Sequence, residues 1–227
     1  MPKLISSQVK THTESEENYI KALYHLGGEK AVNNGALAQR IGAKGPSVTQ
    51  AVKRLANKNL VEAIPYKGVK LTEKGTALAT HILRKHRLWE TFLVEKLGFG
   101  WEEVHDIAEQ LEHVQSPEMV EKLAKYLGSP IHDPHGDPIP QPNGAIPPTL
   151  GKPLQQFATS DKLRVVRVED AGPDFFTQLQ LLNITLGSEF TMSSISNFDS
   201  SIQLRGADGT LFWLSHSMSS NIYAISL

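Results

Sequence analysis

Apolar positions fall at helical spacing through the first half of the chain and into short alternating runs through the last third. Thr13 and Glu16 stand at capping-box spacing, and Ile20, Leu23, Tyr24 and Gly27 follow along one helical face. This predicts a first helix over about 15–27. Leu37, Ala38 and Ile41 make a second, short helix that Gly42 ends. Gly45-Pro46 forms a turn feeding a third helix, because proline's fixed φ suits a first helical position. Val48, Val52 and Leu55 give that helix its apolar stripe. Two short helices joined by a glycine-containing turn are a helix-turn-helix. In "LVEAIPYKGVKLT", two apolar stretches flank Tyr66-Lys67-Gly68, a hairpin pattern that makes the unit a winged helix-turn-helix. A long helix is expected from about Thr72 to Leu97, with Leu78, Ile82, Leu88, Phe92 and Leu93 as apolar contacts. Phe99-Gly100 breaks it, a helix over about 101–114 follows, and Ser116-Pro117 opens another that ends near Leu127-Gly128.

The pattern then changes. "GSPIHDPHGDPIPQPNGAIPP" has too much Pro, Gly and Asp for regular structure. From Lys152 the chain reads as strands, "LRVVRVED", "SEFTMSS", "SIQLRG", "LFWLS" and "NIYAISL", with a short helix at "DFFTQLQLL" and a hairpin turn at Ala207-Asp208-Gly209. The expected fold class is therefore mainly α in the N-terminal two-thirds, followed by a small all-β barrel. The expected domains are 1–72, winged helix-turn-helix; 73–127, helical dimerisation and metal binding; 128–150, Pro-rich linker; and 151–227, β-barrel.

The helix "VHDIAEQLEHV" raises a chemical question. At about 100° per residue, His105, Glu109, Glu112 and His113 fall within roughly 100° of arc. Val104, Ile107, Ala108, Leu111 and Val114 take the other side. On the long helix, "RKHRLWE" repeats the device, since His86 and Glu90 are also four apart. A single His–Glu pair at this spacing is most often a solvated face. Two such pairs on consecutive antiparallel helices, with a further carboxylate and imidazole, can converge on metal.

Composition narrows the classes. In 227 residues there is no cysteine, so disulfides and thiolate metal sites are excluded. No apolar run reaches the roughly 20 residues of a membrane helix, and the N-terminus has no signal-type apolar core, so a cytoplasmic protein without a membrane partner is expected. The net charge of −1 conceals an uneven distribution. Between Arg40 and Lys74, eight basic residues face only Glu62 and Glu73, while 102–121 leans acidic. That suits a polyanion at the first segment and cations at the second.

"RKHRLWE", "VHDIAEQLEHV", "GDPIP" and "GPSVTQAVKRL", in their order along the chain, resemble the diphtheria toxin repressor and manganese transport regulator family. These are dimeric, metal-activated winged helix-turn-helix repressors, often with an SH3-like C-terminal domain. The resemblance covers nearly the whole chain and implies two metal positions per subunit. His86, Glu90 and His105 match the ancillary site. Glu109, Glu112 and His113 match ligands of the primary, regulatory site. The position in the first helix that completes that site is Asn18, where relatives carry Met or Asp. An amide oxygen can ligate a hard cation but brings no charge, and Glu16 or Glu17 is the alternative. Iron-type members have Cys where this chain has Glu109. Carboxylates, imidazoles and an amide favour Mn²⁺, with Fe²⁺ close behind. For ligands lent by the C-terminal domain, the matching positions are Gly172 and Phe175, with Asp170, Asp174 or Gln178 as substitutes.

The helix from Pro46 to about Asn57 is the expected recognition helix, entering the DNA major groove by its N-terminal end. Ser47, Thr49 and Gln50 can meet phosphates or base edges, and a Gln amide can bind adenine bidentately. Helix capping competes as the role of Ser47 and Thr49. Pro46 resembles a family position that touches thymine methyls. Lys44, Lys53, Arg54 and, at the wing tip, Lys67 suit phosphates. The expected function is a repressor, not an enzyme, that binds palindromic double-stranded operator DNA as a homodimer when loaded with Mn²⁺ or Fe²⁺, with no organic cofactor. It would control metal-uptake genes. Two alternatives are a binuclear metalloenzyme, which requires metals about 3.5–4 Å apart, and a winged-helix regulator sensing an organic ligand.

Overall fold

The structure, a computed structural model, describes residues 12–28, 30–169 and 171–227. It divides into two compact units, one of residues up to 85 with Glu112–Pro117 and one of His86–Leu111 with Glu118–Leu227.

In the first unit, α1 (Glu14–Gly27) begins at the expected capping box: the Thr13 hydroxyl accepts from the Glu16 amide, and the Glu16 carboxylate accepts from the Thr13 amide at 3.1 Å. α2 (Asn34–Ile41) is capped by the Asn33 side chain and closes on Gly42 in the left-handed region. α3 (Gly45–Asn57) carries Pro46 in its first turn. Val48 and Leu55 are wholly buried, and with Ile20, Leu23, Leu37, Leu60 and Ile82 they make one apolar core. β1 (Val61–Ile64) and β2 (Gly68–Leu71) pair antiparallel, Val61 opposite Leu71. Val32 exchanges two 2.8 Å backbone hydrogen bonds with Val69 on the outer side of this wing. That approach explains Gly68: its φ is +116°, and a Cβ there would stand 2.0 Å from the Val32 carbonyl oxygen.

α4 (Glu73–Leu97) begins in this unit and ends in the second. There α5 (Trp101–Leu111) lays Val104 and Ala108, both fully buried, against Leu93, Trp89 and Phe99. α6 (Pro117–Tyr126) packs Val120, Leu123 and Ala124 with Leu88 and Ile139. The expected helix over 101–114 is shorter than its apolar period suggests. It stops at Leu111, and Glu112 and His113 form a turn, so these two do not share a helix face with His105 and Glu109. The side chains of Glu112 and His113 instead meet Lys21 and Glu17 of α1.

The segment 128–150 contains no helix, and its only strand-like pairing is the bridge between His132 and Pro138. It is nonetheless folded down. Ile139, Asp133 and His135 are buried, and the Asp133 carboxylate accepts from the amides of His135 and Asp137 at 2.8 and 2.9 Å. The His135 carbonyl accepts from the Val168 amide at 2.8 Å. This ties the segment to the sheet that follows.

That sheet runs β3 (Lys152–Pro153), β8 (Ile222–Ser226), β4 (Lys162–Val168), β5 (Glu189–Ile195), β6 (Ile202–Gly206), β7 (Leu211–Leu214) in spatial order, antiparallel throughout. A short α7 (Pro173–Leu181) covers its core with Phe175, Phe176 and Leu179, and α8 (His216–Ser220) precedes the last strand. Among the described residues the C-terminal part is thus all-β apart from these two short helices and a 3-10 turn at Leu154–Gln156. Among the described residues, however, the expected barrel is an open six-stranded sheet, with β3 and β7 as unjoined edges. β3 is two residues long and one is proline, which has no N–H to extend a ladder.

Candidate functional site

The second unit gathers nitrogen and oxygen donors from α4, α5 and the 128–150 segment. His86 and Glu90 face the same way because they are four apart on α4, and the His86 Nε2 lies 3.0 Å from a Glu90 oxygen. α5 supplies His105, whose Nδ1 is 3.5 Å from Glu90 and whose Nε2 is 3.5 Å from Glu109. One donor atom each from His86, Glu90 and His105 lie within 4.8 Å of one another. The apolar contacts of Leu93 with Val104 and Ala108 hold the two helices together beneath these groups.

A second triad overlaps the first. Glu90, Asp133 and His135, all buried, also bring donor atoms within 4.8 Å. The His135 ring is set between Trp101 and Phe176, its centroid 5.4 and 5.2 Å from theirs, with Nδ1 3.9 Å from both carboxylates. Arg87 stands opposite, 3.6 Å from Asp133 and 3.5 Å from Asp137. Asp133 and His135 escaped the sequence analysis, which read their segment by composition alone. The Asp-x-His spacing in "HDPHGD" was the available signal.

The charges divide unequally between these carboxyls. Burial would push Glu90 up, but the facing imidazoles, His86 above all, hold it well below the usual carboxylate range. Burial pushes Asp133 well above its range, and the neighbouring Glu90 and Asp137 add to this against the opposing Arg87. The two buried carboxyls are therefore pushed in opposite directions, and the raised one is the readier to exchange a proton for a cation.

The first unit holds the remaining expected ligands, apart from Glu109, which belongs to the second unit. Glu112 is completely buried, and both its oxygens accept from Lys21 Nζ, at 3.0 and 2.8 Å. His113 Nδ1 lies 2.7 Å from a Glu17 oxygen, and Gln115 donates to the other at 2.8 Å. Lys85 Nζ stands 3.8 Å from Glu17. Burial pulls the Lys85 ammonium below its ordinary value, with Glu17 and Glu112 opposing. A cavity of about 160 Å³ opens beside Glu17, Lys85 and Gln115. The Asn18 side-chain oxygen is buried and accepts no hydrogen bond among the described residues. A buried, unsatisfied carbonyl oxygen one residue from Glu17 is what a hard cation would satisfy, so the residues present fit a divalent metal. Of the two alternatives to Asn18, Glu16 is spent on the α1 cap and on Lys58 at 2.7 Å, whereas Glu17 reaches His113.

The candidate ligands from the C-terminal part take the following places. Phe175 lies in the core, Gly172 precedes α7, Asp174 and Gln178 are exposed, and Asp170 lies outside the described residues.

On the other face of the first unit, Lys44, Pro46, Ser47, Thr49, Gln50, Lys53 and Arg54 are all exposed along α3, while Val48, Ala51, Val52 and Leu55 point inward. Lys44 occupies the cap position and no side chain caps the helix, so Ser47 and Thr49 are not caps. The Thr49 hydroxyl donates to the Gly45 carbonyl at 3.1 Å. Lys67 is exposed at the wing tip beside Tyr66, which is fully solvent-facing with φ +62°.

Comparison with known proteins follows this geometry closely. Residues 11–69 match the family description "Iron dependent repressor, N-terminal DNA binding domain", 72–141 match "Iron dependent repressor, metal binding and dimerisation domain", and 152–225 match the FeoA domain. The iron-dependent repressor IdeR of Mycobacterium tuberculosis is 40% identical over 128 residues, 56% of either chain, so this match spans little more than half of that protein. The diphtheria toxin repressor of Corynebacterium diphtheriae is 33% identical over 195 residues, covering 80% of this chain and 85% of that one. Among solved structures, a manganese-dependent transcriptional repressor in complex with manganese superposes with a TM-score of 0.84 at 32% identity, covering 93% of this chain and all of the other. ScaR with bound Zn²⁺ gives 0.79 at 31%, covering 93% and 99%.

Proposed function

Because this chain belongs to the iron-dependent repressor family, we propose that it is a transcriptional repressor that binds palindromic operator DNA as a homodimer when loaded with Mn²⁺ or Fe²⁺. Residues 1–72 form the reading head, 73–127 dimerise through the 101–127 helices and bind metal, 128–150 connect, and 151–227 form the small β domain. It acts in the cytoplasm on promoters of metal-uptake genes. None of its helices among the described residues is long and apolar enough to cross a membrane. The observation that carries this reading is the convergence of His86, Glu90 and His105 within 4.8 Å, in a chain whose α3 presents a row of exposed cationic and amide side chains.

One ion per subunit is assigned to Glu109, Glu112, His113 and Asn18, and a second to His86, Glu90 and His105 with Asp133 and His135 in reach. A divalent ion supplies two positive charges that cross-link carboxylates, imidazoles and an amide oxygen. The donors favour Mn²⁺ over Fe²⁺, being oxygen and imidazole nitrogen without sulfur. Glu112 and His113 are anchored against α1, the helix that packs on α2 and α3 in the reading head's core. Restraining those side chains restrains the head. Gln50 and Pro46 then meet base edges, while Lys44, Lys53, Arg54 and Lys67 contact phosphates, with Ser47 and Thr49 beside them. Metal and DNA are linked, and each raises affinity for the other by one factor.

The test is fluorescence anisotropy on a duplex selected from a random pool by metal-loaded protein, titrated with Mn²⁺, Fe²⁺ and Zn²⁺. Wild type should bind at least about tenfold tighter with metal. Glu109→Ala should lose that stimulation while keeping its circular dichroism. Equal binding by metal-free and loaded wild type would sink the proposal. Normal stimulation in Glu109→Ala would move the sensing site elsewhere.

A further inference from the structure

The first-unit cluster has a charge balance that the family reading does not explain. Its two most deeply buried carboxylates, Glu17 and Glu112, are 2% and 0% exposed. Each already faces an ammonium of this chain: Lys85 at 3.8 Å and Lys21 at 2.8 Å. Lys21 engages both Glu112 oxygens, and it does so where little water competes, since Lys21 is itself 9% exposed. Without metal the two lysines and two carboxylates sum to zero charge. Placing a divalent ion on Glu112 with both ammonium groups in place would leave an excess of positive charge in a buried region, even with Glu109 as a ligand offsetting one unit of it. That is strongly unfavourable at low effective dielectric.

We propose that Lys21 is a tethered counter-cation that competes with the metal for Glu112, so that loading requires its ammonium to leave the carboxylate and the protein's metal threshold is set by that exchange. This rests on Glu112 being a ligand of the regulatory metal. The spacing supports the geometry: Lys21 lies one helical turn beyond Glu17 and Asn18 on α1, hence on the face that carries them. The exchange is electrostatic and needs no proton transfer. The long stem of Lys21 lets its head swing to solvent, as buried lysines at a protein edge do. The competitor weakens metal binding and at the same time keeps Glu112 satisfied in the metal-free protein. The operating concentration of metal is thereby raised without instability of the empty state.

The test compares wild type, Lys21→Gln, Lys21→Met, Lys21→Arg and Glu112→Gln, each stripped by chelation and titrated with Mn²⁺ calorimetrically. Lys21→Gln and Lys21→Met should bind Mn²⁺ about tenfold or more tighter, because a neighbouring like charge is removed, and Lys21→Arg should resemble wild type. The empty Gln and Met variants should melt lower than wild type, and Mn²⁺ should raise their melting temperature by more. In wild type, Mn²⁺ should also speed acetylation of Lys21 by a water-soluble reagent, read by peptide mass spectrometry. A purely structural lysine would show no such change. If Lys21→Met does not fold, Lys21→Gln against Lys21→Arg decides. Unchanged or weaker Mn²⁺ binding in Lys21→Gln, with Glu112→Gln still costing wild type its affinity, overturns the competitor role and leaves the site intact. Wild-type binding indifferent to Glu112→Gln overturns the site assignment and the inference with it.

Discussion

The two donor clusters use the same side-chain types and solve the problem of buried charge in different ways. In the second unit, the facing imidazoles, His86 first, hold the Glu90 carboxyl well below the usual range against its burial, and burial pushes Asp133 well above it. A carboxyl raised in this way can give up a proton to an arriving cation. In the first unit, Glu112 and Glu17 face lysine ammonium groups instead, at 2.8 and 3.8 Å. Accommodation there requires rearrangement of the chain. A site that exchanges protons is suited to steady occupancy. A site that must move a side chain on α1 is suited to report occupancy to the helices packed on it.

Deleting one carboxylate from each cluster should separate these two designs most clearly. Glu112→Ala strands the Lys21 ammonium in a buried setting, a loss of about 3–5 kcal/mol. Glu90→Ala unmakes the buried His86–Glu90 hydrogen bond, so the cost is nearer about 1–3 kcal/mol. Urea unfolding of the metal-free variants measures both. Equal losses would mean that the two buried carboxylates are held by interactions of equal strength.

A smaller effect separates the two carboxyls within the second unit, and its sign follows from their opposite shifts. Asp133 has a folded pKa raised by burial, so it costs stability once pH rises above the unfolded carboxylate value of about 3.9, and the cost is complete above the folded pKa. Glu90, depressed by its imidazoles, contributes stability that is present above about 4.3 and is lost as pH falls through its folded pKa. Asp133→Asn keeps an oxygen to accept from the amides of His135 and Asp137. It should therefore gain on wild type as pH is raised from acid toward neutrality, in metal-free thermal melts across that range. A difference that stayed flat with pH would mean that folding leaves the Asp133 carboxyl unshifted, and one that moved the other way would mean that Arg87 outweighs its burial.

Parts of this comparison were legible in the sequence and parts were not, for physical reasons. His86, Glu90 and His105 were readable because helical period alone turns residues four apart to one side. Val48, Val52 and Leu55 were readable for the same reason, and so by subtraction were Gln50, Lys53 and Arg54 on the outer face of α3. The end of α5 was not, because the residue just past it, Glu112, is engaged by a lysine 91 residues away. Periodicity is local and that contact is not. The Asp133–His135 turn was hidden by its proline-rich composition, which announces the absence of helix and strand but is silent about burial. The strands of the C-terminal part were legible by alternation, whereas the two-residue β3 and five-residue α8 are too short to show any period. Sheet closure depends on how distant edges meet, which no local pattern records.

The finest distinction lies inside the first-unit cluster, between its two lysines. Lys85 stands 3.8 Å from Glu17, against 2.8 Å for Lys21 and Glu112, and burial already lowers its hold on its proton. A longer separation weakens the ion pair, and a depressed ammonium can lose its charge without moving. Lys85 therefore opposes an incoming cation less than Lys21 does. Lys85→Met should tighten Mn²⁺ binding by only about two- to threefold in the same calorimetric titration, with little change in the melting temperature of the empty protein. The depressed ammonium adds a pH signature. Wild type should close this small gap as pH rises and Lys85 discharges, because the neutral amine and the methionine then present the same charge to the site. A tightening as large as that of the Lys21 variants, or one constant with pH, would make the two lysines equivalent and transfer the threshold from Lys21 to the pair.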